Sequence, residues 1–309
     1  MNQISEVITT LIHYKVVVRD TLEYTIQKDK YDMRPYNERK RAILIELNEK
    51  TPLKSILDNS KENGEKLEKT IRDFYDEVYG DNSTILKPAN DGLRVDHNQH
   101  LPIFKGVVMI HENVEGMIRA LIQDAKNKKV DVAEVEKVNK DEERFYRAIA
   151  FLTLTNQLIR FFNDYNQARR ENKGEESATS RFINNDINEI VKLIYTVRGS
   201  SRLTDERYMD VQDKVLKLIE YMTGRRDLPA GQSFGNIFKD VNDTLNGYVR
   251  EVEPTFRNSY VPLMNELIQQ ARANGNKIGG NTPAAEAKPA QEVEGEPTEI
   301  DPGTGLPKA

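Results

Sequence analysis

The chain has 309 residues, 31% charged and 38% hydrophobic, with a formal net charge of −5. It has no cysteine, which excludes disulfides, thiolate zinc sites and cysteine nucleophiles. The acidity is uneven. From Lys277 onward three lysines face six acidic residues, leaving the rest of the chain near −2. A near-neutral body argues against a protein that coats DNA, while leaving room for a local basic patch.

The opening MNQISEVITTLIHYK carries Glu6 and lacks a basic-then-apolar leader pattern. No apolar run approaches a membrane span, so no membrane partner is expected. The expected location is cytoplasmic, or inside a virion or other assembly. Residues 4–28 read as an amphipathic helix, with Ile4, Val7, Ile8, Leu11, Ile12, Val18, Leu22 and Ile26 at steps of three and four. A second helix is expected over 37–49. Thr51 and Pro52 are a cap and first-position pair opening a third, which runs to about Tyr79.

Residues 80–101 are rich in Gly, Pro, Asn and Asp and form the expected boundary between two helical parts. A helix starting at Pro102 runs to about Lys128. Residues 131–172 then read as one helix roughly 60 Å long at the standard rise. Its centre, FYRAIAFLTLTNQLIRFFNDY, is apolar nearly all round, as in the middle helix of a bundle. Helices over 180–198, 204–222, 234–252 and 256–273 follow, the last two separated at Pro254. The expectation is an all-α fold: an up-and-down bundle with a long central helix. Its parts are 1–80, a connector over 81–101, the bundle over 102–274, and a disordered acidic tail over 275–309.

Three features invite a functional reading. His97, His100 and His111 lie close together with Glu115, and His111 and Glu115 share a helix face at i and i+4. This spacing resembles one element of hemerythrin-like helical iron proteins over five residues, and the resemblance implies a metal site at His97, His100, His111 and Glu115. Asp76–Glu77 with Asp81, and Asn242–Asp243 downstream, resemble the magnesium-binding acids of helical terpene synthases. The downstream element departs from that family's pattern at Asn246 and Arg250. Arg169, Arg170, Lys173, Arg225 and Arg226 fall at two helix C-termini that an up-and-down order brings to one pole, where they could form a basic patch.

Neither a P-loop, a Ser-His-Asp set nor an H-E-x-x-H motif is present. The leading expectation is a non-enzymatic interaction or assembly protein with no cofactor, working with a protein partner or as a homo-oligomer. A structural or packaged part of a bacteriophage fits this profile. The alternatives are a metal-binding helical protein and a nucleic-acid-associated one.

Overall fold

The computed structural model describes residues 1–26, the isolated positions 65, 69, 72–73 and 76, and residues 86–89, 92–95 and 100–273. The helices expected over 37–49 and 51–79 lie largely outside these residues, as do Asp81 and the tail. The chain divides into Met1–Gly279 and Gly280–Ala309.

The described elements are α1 (Gln3–Ile26), a hairpin of β1 (Leu86–Ala89) and β2 (Gly92–Val95), then α2 (His100–Asn127), α3 (Ala133–Glu171), α4 (Ala178–Gly199), α5 (Glu206–Met222) and α6 (Phe234–Ala273). Among the described residues the fold is all-α apart from that hairpin, which pairs Leu86 with Val95 and Ala89 with Gly92 inside the expected connector. Pro102 falls in the first turn of α2, where its missing N–H costs no intrahelical bond.

α3 is the spine. Every residue from Phe145 to Thr155 is buried, so this stretch is covered on all sides. α5 shows the opposite pattern. Tyr208, Val211, Val215, Leu218 and Ile219 bury one face at helical spacing. Its N-cap is Asp205, whose side chain accepts from the Tyr208 N–H at 3.1 Å. Replacing Asp205 by Ala should cost about 1 kcal/mol, read as a lower urea midpoint with an unchanged m-value. At the start of α4, Ser177 and Ser180 cap each other reciprocally.

The helices alternate in direction. Asn2 donates to the Asp131 carbonyl while Lys15 reaches Glu142, so α1 runs parallel to α3. Asp131 lies just past the end of α2, so α1 and α2 are antiparallel. Arg147 meets the Val197 carbonyl, which sets α4 antiparallel to α3. The aromatic pairs Phe145–Phe256 and Phe162–Phe234 set α6 antiparallel to it as well. Arg144–Asp205 and Phe151–Tyr208 place α5 parallel to α3.

One expectation is corrected. Residues 234–273 form a single helix through Pro254 and Pro262. Proline removes one backbone hydrogen bond and crowds the preceding turn. Val252, Phe256, Tyr260, Leu263 and Leu267 nevertheless stay buried on one face across Pro254. Burial of that continuous face outweighs the local loss.

Candidate functional site

The two largest kinds of cation are among the largest side chains that are wholly buried: Arg147 and Lys15. They belong to a charged cluster built where α1, α2, α3 and the end of α4 meet. α1 supplies Lys15 and Arg19, one turn apart on its buried face. α2 supplies His111, Glu112, Glu115 and Arg119. α3 supplies Asn139, Glu142, Glu143, Tyr146 and Arg147.

Lys15 is the hub. Its Nζ lies 2.7 Å from Glu115 Oε2, 2.6 Å from Glu142 Oε2 and 2.9 Å from Asn139 Oδ1. Burial alone would lower its pKa, but the carboxylates of Glu115 and Glu142 outweigh this and raise it, so Lys15 is held charged. Glu115 shows the reverse balance. Burial pushes its pKa up, but Lys15 and Arg119, with the Asn139 amide, bring it below the usual carboxylate value. Burial dominates at Glu142 and raises its pKa, although Lys15 and Arg19 oppose the rise.

Arg19 Nη1 sits 3.6 Å from Glu142 Oε1. Its guanidinium carbon lies 4.3 Å from the centre of the Phe145 ring and 4.8 Å from that of Phe256. Both cation–π contacts are out of water, where they are strongest. His111 stacks on Tyr146 with ring centres 3.6 Å apart. Its Nε2 faces the Lys15 carbonyl at 3.0 Å. A carbonyl only accepts, so Nε2 carries the proton. Burial, reinforced by Lys15 and Arg19, pushes the His111 pKa well below the ordinary imidazole value, and the ring is neutral.

The cluster continues to a helix end. Arg147 donates through Nε and Nη2 to Glu143 Oε1 at 3.1 and 3.0 Å. Its Nη1 donates to the Val197 carbonyl. Arg119 Nη2 donates to the Ser200 carbonyl at 3.2 Å. Two guanidiniums from other helices thus satisfy carbonyls at the C-terminus of α4, where the helix dipole favours cations. Among the described residues, four cations (Lys15, Arg19, Arg119, Arg147) face four carboxylates (Glu112, Glu115, Glu142, Glu143) around a neutral imidazole. Only Arg119, 27% exposed, and Glu112, 18% exposed, reach solvent appreciably.

His111 and Glu115 do share a buried face, as their spacing implies. Glu115 is already occupied by Lys15, Arg119 and Asn139. His97 lies outside the described residues, and His100 opens α2. Among the described residues, no group of three or more His, Asp or Glu side chains is arranged to hold a metal ion. Sequence reasoning missed Lys15, Arg19, Glu142 and Arg147. Each stands in step with its helix's apolar stripe, which was the available signal.

A second region lies at the far end of α3. The Phe162–Phe234 pair, with ring centres 5.3 Å apart, joins it to the start of α6. Lys214 bonds Thr244, so α5 returns its own C-terminus to the same end. Arg169, Arg170, Lys173, Arg225 and Arg226 therefore gather at one pole, all exposed. Gly174 and Gly224, at φ 86° and 69°, end the two helices there. Asn163, Asn166, Arg169, Arg170, Lys173 and Gly174 line an open groove.

Acids are interleaved with these cations. Residues 163–176 and 220–227 also hold Asp164, Glu171, Glu175, Glu176, Glu220 and Asp227. Arg226 is spent on Glu220 at 2.6 Å. The pole is mixed in charge rather than basic. It is also aromatic: Phe161, Phe162, Phe182, Phe234 and Phe238 are five of the chain's ten phenylalanines, and each is half-buried or exposed.

Among the described residues, no helix is long and apolar enough to cross a membrane. No family model, curated protein or solved structure matches the chain.

Proposed function

We propose that the protein is a non-enzymatic helical interaction or assembly component, of the kind used as a structural or packaged part of a phage particle or another large assembly. One observation supports this reading above others: among the described residues, a dense set of ionisable side chains is largely buried in the core, with cations and carboxylates paired to one another. A catalytic acid or base must come within hydrogen-bond reach of a reacting atom. Lys15, His111, Glu142 and Arg147 are each about 1% exposed or less, so no substrate reaches them without the helices parting.

Their arrangement suits a different task. A buried polar network rejects any packing that leaves a charge unmatched, so it selects one register of α1 against α2 and α3. A body with a fixed register presents a constant surface to a partner. Size-exclusion chromatography with light scattering, with a pull-down from the native host, tests the reading. A defined oligomer or a reproducible partner is the expected result. A strictly monomeric protein without a partner, turning over a substrate, would sink it.

A further inference from the structure

We infer that the aromatic end formed by the C-terminus of α3 and the N-termini of α4 and α6 is a self-association surface, and that it is covered by the same end of a second copy of this chain. The inference rests on the assembly reading and deepens it by naming the surface and its occupant.

Three observations combine. Phe182, in the second turn of α4, is 68% exposed, the most exposed of the described large hydrophobic side chains. Leu228, in the turn between α5 and α6, is also exposed at this end. Aromatic side chains surrounded by Arg are the composition enriched in protein interfaces. The charge pattern then chooses among occupants. A nucleic acid or an acidic protein would need a strongly positive pole, and here, with Arg160 and Arg181 beside the phenylalanines, seven cations meet six acids, a near-even balance. The signs alternate along the chain, as in Arg169–Arg170–Glu171 and Lys173 before Glu175–Glu176. A surface of this kind is its own complement, because a two-fold rotation sets cations of one copy against acids of the other.

The shape has both parts that an isologous contact needs. Phe182 is exposed, and an open groove lies at the end of α3 on the same pole. The groove's arginines suit an aromatic guest. Arg169 already lies 5.9 Å from the centre of the Tyr165 ring, and a second copy's Phe182 can take the equivalent position against Arg169 or Arg170.

Sedimentation velocity on the full chain, over roughly 1–200 µM, tests this with wild type and Phe182→Asp. Phe182→Ser is a second variant for the case in which Asp disturbs the helix. The wild type is expected to dimerise. Either variant should weaken the dimer about tenfold or more, a loss of about 1.4 kcal/mol, with unchanged helical circular dichroism and urea midpoint. A wild-type oligomer that both variants leave intact overturns the surface while leaving the assembly reading standing. A wild type that stays monomeric at the highest concentration, yet captures another protein in the pull-down, overturns self-association alone. A monomer that captures nothing overturns both.

Discussion

Replacing Lys15 by Met should lower the free energy of unfolding by about 3–5 kcal/mol, because it strips a buried pair of carboxylates of their shared cation. In a helical body of this size that is a fall in Tm of roughly 6–20 °C. The reason is asymmetric. Lys15 Nζ is within 2.7 Å of both Glu115 and Glu142. Without it Glu115 keeps Arg119 and Asn139. Glu142 keeps Arg19 at 3.6 Å and a neutral imidazole at the same distance, and it is wholly buried. Adding Glu142→Leu to Lys15→Met should recover much of the loss, since a hydrophobic replacement of similar size removes the unmatched charge. Urea unfolding at pH 7 of the wild type, the single variant and the double variant measures this. A single variant within about 1 kcal/mol of the wild type would show that Lys15 does not hold the two carboxylates together in solution.

The second large effect is pH dependence. The His111 pKa is lowered well below 6.5 in the fold. Below the ordinary imidazole pKa the unfolded chain therefore binds a proton that the fold refuses, and stability falls as pH falls. The slope from this group is about 1.4 kcal/mol per pH unit while His111 stays neutral. Glu115, lowered from 4.5, adds a further loss as pH falls through its folded value. Glu112 and Glu142, both raised, act in the opposite sense, because the fold takes up their protons before the unfolded chain does. The His111→Phe variant isolates the imidazole while keeping a ring against Tyr146. As pH falls below about 6.5 its stability should fall less steeply than that of the wild type, the difference approaching the slope above while His111 stays neutral in the fold. Parallel urea-midpoint profiles for the two proteins would rule out a neutral buried His111.

Much of the helical plan is legible in the residues. The spine was expected over 131–172 and spans Ala133–Glu171. The turn chemistry at Asp205 and Gly224 marks α5 with similar clarity. α6 is read as two helices from Pro254 because a proline penalty is local and visible, whereas the packing that overrides it comes from distant helices. The hairpin at Leu86–Val95 hides for a related reason. Four-residue strands in a Gly- and Pro-containing stretch carry little period to detect.

The charged cluster is legible only in outline. The i, i+4 spacing singles out His111 and Glu115 correctly as neighbours on one face. It cannot say whether a metal or an ammonium meets that carboxylate, and Lys15 lies 100 residues away. Charged residues count as surface when each helix is read alone. Lys15 and Arg19 interrupt the stripe of Ile8, Leu11, Ile12 and Leu22 with one sign, and Glu115 and Glu142 interrupt two other stripes with the opposite sign. That complementarity between helices is the signal, and it exists only when the three stripes are compared. At the aromatic pole the cations stand out at two helix ends, and its net charge emerges only when the acids interleaved between them are counted as well.

The placement of Lys15 bears on how the protein is made. α1 leaves the ribosome with two cations set in its apolar face, and Lys15 cannot take its buried place until Glu115 and Glu142 exist. Glu115 follows Lys15 by 100 residues, and Glu142 comes later still. At ordinary rates of about 5–20 residues per second, α1 waits roughly 5–20 s before Glu115 is even synthesised. During that interval α1 lacks Glu115 and Glu142, the acids that hold Lys15 in the fold. Stalling or truncating translation before residue 142 should therefore leave α1 a target for chaperones, while release of a longer chain should not.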